Sequence, residues 1–207
     1  MKSKIRILVA EDHVIARVGV ISILNLQPDM TVVAEAVNGQ QALELFLQHR
    51  PDVILLDVRM PIMSGVEAAI AIRSVDPQAR MIALSSYGGD EDVRRTLAAG
   101  MHGYLTKDVP PEELLEAIRM VHAGDSYLPP ALAAMLASQP EHQSLTAREI
   151  QVLDLIARGL ADKQIAHTLN IAESTATNHV RNIRSKLGVR DRTQAATEAI
   201  QRGIIHL

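Results

Sequence analysis

Along the first 123 residues, short apolar runs alternate with amphipathic stretches. Ile5–Ala10, Thr31–Ala36, Val53–Leu56, Met81–Leu84 and the shorter Gly103–Leu105 read as strands. Residues 14–26, 40–49, 65–75, 91–99 and 111–123 carry apolar side chains at helical spacing. Five βα units in series predict a five-stranded, mainly parallel sheet with helices on both faces. Right-handed crossovers then complete a doubly wound α/β domain.

The pattern changes after residue 123. Gly124, Pro129, Pro130 and Pro140 punctuate the next segment, Ser138 and Gln139 add polarity, and residues 131–137 could form a short helix. From 145 onward the periodicity is wholly helical. Thr146 three residues before Glu149 is a capping-box signal, followed by Ile150, Leu153 and Ile156 on one face. Gly159 ends that helix, and Asp162 is expected to cap a second that carries Ile165 and Leu169. A third, about 173–187, aligns Ala176, Val180, Ile183 and Leu187. A fourth, begun by Asp191 or Thr193, aligns Ala195, Ala196, Ala199 and Ile200. Four helices with short connections predict an all-α helix-turn-helix domain. The expected organisation is residues 1–124, a linker over 125–143 with the second domain starting near Ser144, and residues 144–207.

Composition narrows the function classes. The chain has 207 residues, 47% hydrophobic and 22% charged, which excludes a largely disordered protein. Its net charge of −3 conceals an asymmetry: residues 1–143 hold 12 basic and 18 acidic side chains, residues 144–207 hold 9 and 6. An acidic front and a basic tail imply modules with different partners. There is no cysteine, so disulfide, thiolate-zinc and thiol-nucleophile chemistry are excluded. The longest apolar run, Ala131–Ala137, is too short to span a bilayer, and the basic N-terminus lacks the apolar segment of a signal peptide. A cytoplasmic location without membrane association is therefore expected. Aromatic residues are only 2%, which argues against single-strand binding by base stacking. The eight histidines show no metalloprotease spacing, and His13 reads as a structural residue at a helix start.

In doubly wound sheets, ligands bind beyond the carboxyl ends of the strands. Strand one ends in Glu11-Asp12, strand three in Asp57 and strand four in Ser85-Ser86, while strand five runs out through Thr106-Lys107. A single acid at a strand end is usually a helix cap or a solvated turn. Several groups converging on one edge are a different matter, because neighbouring carboxylates raise one another's pKa unless a cation compensates them. Mg²⁺, a hard ion that takes oxygen ligands, would do so and also accepts phosphate oxygens. Carboxylates, Mg²⁺, a hydroxyl and a lysine together make a phosphoryl-transfer site with one carboxylate as nucleophile.

Glu11-Asp12-His13, Leu55-Leu56-Asp57-Val58-Arg59-Met60-Pro61 with Gly65, Leu84-Ser85-Ser86 and Gly103-Tyr104-Leu105-Thr106-Lys107 resemble the receiver domain of bacterial two-component response regulators, over roughly residues 4–123. The resemblance implies a flavodoxin-like fold in which Asp57 accepts phosphate from a sensor histidine kinase. It implies that Glu11, Asp12 and Asp57 hold Mg²⁺, with the backbone carbonyl of Arg59 as a further ligand. Ser85 would hydrogen-bond the phosphoryl group, Lys107 would pair with it, and Tyr104 would be the switch aromatic. Asp108 stands where many receivers have proline, and Glu11 replaces a first aspartate. A phosphatase using Asp57 is disfavoured, because Arg59 stands where such enzymes carry a second aspartate. The expected chemistry is Mg²⁺-dependent self-phosphorylation and dephosphorylation only, not that of an enzyme.

On the third C-terminal helix, the face opposite the apolar stripe carries Ser174, Asn178, Arg181, Asn182 and Ser185, with Thr177 and Arg184 at a shoulder. Arg can bind guanine bidentately and Asn adenine, and hydroxyls reach phosphates or bases. Leu145-Thr146, Arg148-Glu149, Gly159-Leu160, Lys163, Ile165-Ala166, Thr175, His179-Val180 and Lys186-Leu187-Gly188-Val189 with Asp191-Arg192-Thr193-Gln194-Ala195 look like the LuxR-type DNA-binding domain, over about 144–207. The two resemblances together are those of the NarL/FixJ class of response regulators. They imply that the third helix enters the major groove of double-stranded promoter DNA, contacting it through Ser174, Thr175, Thr177, Asn178, Arg181, Asn182, Arg184, Lys186 and the outlying Lys163. Thr177 replaces a frequent lysine, and Ala172 a frequent capping hydroxyl, so Ser174 is a candidate cap for a shortened helix. Phosphorylation would control homodimerisation and DNA binding, with RNA polymerase a further candidate partner. The alternative is a DNA-binding regulator whose receiver dimerises independently of phosphorylation.

Overall fold

Every expected strand forms. The computed structural model of the chain describes residues 4–86, 89–138 and 145–205. Gln139, Pro140 and Ser144, on which the expected linker and second-domain start partly rest, lie outside the described residues. The first part alternates β1 (Ile5–Ala10), α1 (Val14–Asn25), β2 (Met30–Ala36), α2 (Gly39–His49), β3 (Val53–Asp57), α3 (Gly65–Val75), β4 (Met81–Ser85), α4 (Asp90–Ala98), β5 (Gly103–Thr106) and α5 (Pro111–Ala123). The sheet order is β2-β1-β3-β4-β5, and all pairings are parallel. The order reverses between β1 and β3, which places the ends of these two strands at the switch point where ligands bind.

Burial explains why some strands were plain in the sequence. β3 and β4 are buried at every position, so they read as continuous apolar runs rather than as alternating ones. Edge strand β2 is only partly buried along most of its length. The opposite edge is covered. Tyr127 forms a parallel bridge with Gly103, its amide donates to the His102 carbonyl at 2.9 Å, and its own carbonyl accepts from the Tyr104 amide at 3.2 Å. The Tyr127 hydroxyl donates to Glu113 Oε1 at 3.1 Å, and the ring packs on the sheet core. Residues just after α5 thus shield part of an otherwise open strand edge. The chain divides into two compact units, the second made of residues 89–92 and of the chain from Ala134, within α6 (Pro130–Ser138), onward.

The second unit holds α7 (Ala147–Ala157), α8 (Asp162–Leu169), α9 (Glu173–Leu187) and α10 (Arg192–Gln201) around Val152, Leu153, Ile156, Ile165, Ala176, Ile183, Leu187, Ala195 and Ala199. Thr146 and Glu149 form the expected capping box: Thr146 Oγ1 accepts from the Glu149 amide at 3.2 Å, and Glu149 Oε2 accepts from the Thr146 amide at 2.8 Å. Asp191, not Thr193, caps α10, accepting from the Gln194 amide at 2.9 Å. Two caps differ from expectation. Ala161 occupies the N-cap of α8, with its amide donating to Gln164 Oε1 at 2.8 Å, and Asp162 is already helical. Its carboxylate is drawn instead toward Thr177 and Arg192. Ala172 is the N-cap of α9 and provides no capping bond, so Ser174 lies inside the first turn rather than before it.

Candidate functional site

At the carboxyl edge of the sheet the expected groups meet. Lys107 Nζ stands 2.8 Å from Asp57 Oδ2 and 2.6 Å from Glu11 Oε2. The Arg59 amide donates to Asp57 Oδ1 at 3.1 Å, so each oxygen of Asp57 has a partner. Glu11 and Asp57 are only 1% and 3% exposed, a burial that carboxylates tolerate only beside such cations and donors. Burial pushes the Asp57 carboxyl up to about 6, helped by the Glu11 charge and opposed by Lys107 and the Arg59 amide. Burial pulls the Lys107 ammonium down, but hydrogen bonds to Asp57 and Glu11 outweigh it and hold its pKa above the usual lysine value.

Backbone geometry fixes these positions. Asp57 is the last residue of β3, and Gly65 at the start of α3 packs so tightly that an added Cβ would lie 2.0 Å from the Asp57 carbonyl oxygen. Only glycine fits there. Ser85 is buried at the end of β4, pairs in register with Thr106, and accepts the Lys107 amide at its carbonyl at 2.8 Å. Strand pairing therefore sets Ser85 and Lys107 side by side. Tyr104 is fully buried on β5, three residues before the lysine.

The loop between β1 and α1 carries features that sequence reasoning missed. Arg17 reaches back so that Nη1 donates to the Glu11 carbonyl at 2.7 Å, while Nε lies 3.6 Å from Glu35 Oε2. This clamp ties α1 to the loop and to β2. His13 turns its imidazole onto the acids: Nδ1 is 3.2 Å from Glu11 Oε1 and 3.0 Å from Asp12 Oδ1. No local pattern announces either contact, because each depends on how the loop folds back over the strand end. Ligand atoms of Glu11, Asp12, His13 and Asp57 lie within 4.8 Å of one another. Asp12 Oδ1 is buried yet accepts no hydrogen bond from the described residues. A set dominated by carboxylate oxygens, one of them left unsatisfied, fits a hard divalent ion.

On α9, Ser174, Thr175, Thr177, Asn178, Arg181, Asn182 and Arg184 are exposed, while Ala176, Ile183 and Leu187 are buried. Arg181 donates to Asn178 Oδ1 at 3.1 Å one turn earlier, which holds the two on the outer face together. Lys163 is exposed at the start of α8. Three of the expected groups have internal partners. Thr177 Oγ1 donates to Asp162 Oδ2 at 3.0 Å, and the Arg184 guanidinium donates to the Arg190 carbonyl. Lys186 Nζ pairs with Glu149 Oε2 at 2.7 Å. Glu149 is 3% exposed; burial raises its pKa, but Lys186 and the Thr146 amide and hydroxyl bring it below the ordinary glutamate value.

Comparison with known proteins covers both units. The family described as "Response regulator receiver domain" matches residues 7–119, and "Bacterial regulatory proteins, luxR family" matches residues 143–199. The chain is 40% identical to the nitrate/nitrite response regulator protein NarL of Escherichia coli (strain K12) over 199 residues, 92% of each chain. It is 37% identical to the transcriptional regulatory protein LnrK of Bacillus subtilis (strain 168), covering 97% of this chain and 98% of LnrK. Among solved structures it is similar to the response regulator ChrA of a heme-sensing two-component system (TM-score 0.59, 35% identity, 98% of this chain and 100% of ChrA). The response regulator RcsB in its DNA complex shares the fold at TM-score 0.69, with 21% identity over 96% of this chain and 99% of that one. Among the described residues, no helix is long and apolar enough to cross a membrane.

Proposed function

The chain belongs to the NarL/FixJ class of two-component response regulators, a receiver domain joined to a LuxR-type DNA-binding domain, and from that premise we propose that Asp57 is its phosphoacceptor. It is a phosphorylation-driven transcription regulator, not an enzyme that turns over a substrate. The observation that carries the assignment is Lys107 bridging Asp57 and Glu11 at the switch point of the sheet.

In this reading a sensor histidine kinase presents a phosphohistidine. The Asp57 carboxylate attacks phosphorus, an O–P bond forms, and the P–N bond to the kinase histidine breaks. With a pKa of about 6, Asp57 is mostly ionised at neutral pH and ready to attack. Glu11, Asp12 and Asp57, with the backbone carbonyl of Arg59, would hold Mg²⁺, whose charge offsets the negative charge gathered between carboxylate and phosphoryl group. Lys107 moves its ion pair from the Asp57 oxygen to a phosphoryl oxygen. Ser85 donates its hydroxyl to another, and the space it vacates lets the Tyr104 ring reorient.

That change biases an equilibrium between two receiver conformations. The active conformation forms a homodimer and places two copies of α9 in successive major-groove segments, about 34 Å apart. Arg181, Asn178 and Asn182 read base edges, while Ser174, Thr175, Thr177, Arg184, Lys186 and Lys163 contact the backbone or the groove wall. Residues 1–124 act as receiver, 125–143 as linker and 144–207 as DNA-binding domain, in the cytoplasm, with RNA polymerase as a further partner.

The test measures sedimentation and affinity for DNA from upstream of the protein's own gene, with and without acetyl phosphate and Mg²⁺. The wild type is expected to dimerise and bind more tightly with the phosphodonor, and Asp57→Ala to show neither change. An Asp57→Ala protein that still responds fully would overturn the assignment.

A further inference from the structure

On the exposed side of α9, two hydrogen bonds settle which groups can give a proton and which can only accept one. Thr177 Oγ1 stands 3.0 Å from Asp162 Oδ2 on α8, and a carboxylate has no proton to give, so the hydroxyl is the donor. The other oxygen, Oδ1, lies 3.4 Å from Arg192 Nη1, whose guanidinium also donates to the Leu160 carbonyl. Asp162 is thus held from α10 and in turn holds Thr177 on α9. One turn further along, Arg181 donates to Asn178 Oδ1 at 3.1 Å. A guanidinium has only donors, so the Asn178 amide turns its oxygen toward Arg181 and keeps its NH₂ for other partners. The resulting pattern is a methyl group and an acceptor oxygen at Thr177, beside a pair at Asn178 and Arg181 that offers donors.

We propose that Thr177 reads one A·T pair, next to a guanine taken by Arg181 and Asn178, and that Asp162 is the positioning residue behind it. The inference rests on the reading that places α9 in the major groove, and it narrows the contact open to Thr177 there. Phosphate oxygens only accept, so a hydroxyl whose proton is committed to Asp162 gains nothing from the backbone. Guanine N7 and O6, adenine N7 and thymine O4 likewise only accept. The donors in the major groove are the exocyclic amines of adenine and cytosine, and thymine alone adds a methyl group. An A·T pair therefore suits both halves of the side chain: the adenine amine donates to Oγ1, and the thymine methyl packs on Cγ2. A C·G pair suits only the oxygen. The donors of Arg181 and Asn178 suit guanine N7 and O6 in the same way.

The experiment selects bound duplexes from a pool randomised over about two helical turns, using the full-length chain with acetyl phosphate and Mg²⁺. Wild type, Thr177→Ala and Asp162→Ala are compared by sequencing the selected DNA, and base preference is read pair by pair. Thr177 is exposed and alanine is a strong helix former, so that variant keeps the fold. The wild type is expected to favour A·T at one pair of each half-site. Thr177→Ala should lower that preference about fivefold and leave the other pairs within about twofold. Asp162→Ala should return the proton to the Thr177 hydroxyl and relax the same pair toward G·C, where guanine offers it acceptors. Weaker or stronger binding to all sequences alike in Asp162→Ala would overturn its positioning role. A preference that Thr177→Ala leaves unchanged would overturn Thr177 as a reader. A wild type that enriches no sequence, or an enrichment that Arg181→Ala leaves untouched, would instead overturn the placement of α9 in the groove.

Discussion

The receiver edge and the outer face of α9 are both clusters of polar side chains, but they are built in opposite ways. At the receiver edge, Glu11, Asp57 and Lys107 are largely withdrawn from water and satisfy one another. On α9, Ser174, Thr175, Asn178, Arg181 and Asn182 stand in solvent, and the bond from Arg181 to Asn178 joins neighbours a turn apart. A buried cluster must be nearly complete before the chain will fold around it, since an unpaired buried charge is costly. An exposed face costs nothing to leave unpartnered. Function at the first site is therefore written into stability, whereas at the second it is invisible until a partner arrives.

The sharpest test of that contrast is Lys107→Ala. It leaves two buried carboxylates facing each other, and should destabilise the receiver by about 3 kcal/mol in Mg²⁺-free buffer. Chemical denaturation should show part of that loss restored when Mg²⁺ is added. A loss below about 0.5 kcal/mol would mean the cluster is solvated after all.

Lys186 crosses the boundary between the two kinds of site. It lies on the recognition helix, yet it is paired with buried Glu149. Lys186→Ala should lower the stability of the second unit by about 2 kcal/mol, as an uncompensated buried carboxylate does. The linkage has a definite sign. The folded-state pKa of Glu149 lies below its ordinary 4.5, so the stabilisation is present above 4.5 and disappears as pH falls through the depressed value. Thermal melts of wild type and Lys186→Ala should thus converge in acid.

Arg181→Ala should behave in the reverse way. It should cost about 1–3 kcal/mol of DNA affinity in either phosphorylation state and less than about 0.5 kcal/mol of stability. Comparable loss in both quantities would erase the distinction. The smallest effect is expected at the start of the same helix, where Ala172 leaves α9 uncapped. Ala172→Ser should raise stability by about 1 kcal/mol in denaturant titration.

How much of this was legible in the sequence follows from burial. β3 and β4 announced themselves because burial on both faces demands unbroken apolar runs. Thr146 with Glu149 announced the start of α7, because a capping box is a local device whose partners lie three residues apart. The cap of α8 departs from what local chemistry predicts. Asp162 has the right chemistry for a cap, but Thr177 and Arg192, distant in sequence, compete for its carboxylate. By sequence alone Tyr127 falls in the linker, among prolines and a glycine. Its bridge to Gly103 arises only once β5 offers a free edge.

The division is the same at the functional groups. Local sequence determined the five βα units, the four-helix tail, the strand-end positions of Glu11, Asp12, Asp57, Ser85 and Lys107, and the polar character of α9. Those features depend on periodicity and on neighbours a few residues away. Tertiary structure decided that Lys107 bridges two carboxylates, that Arg17 clamps the Glu11 carbonyl, that His13 faces the acids and that Lys186 turns inward to Glu149. Each of these contacts joins groups whose meeting depends on how helices and loops close over strand ends and on each other. The energy that selects them is long-range electrostatics in a partly dehydrated setting, which a pattern along the chain does not encode.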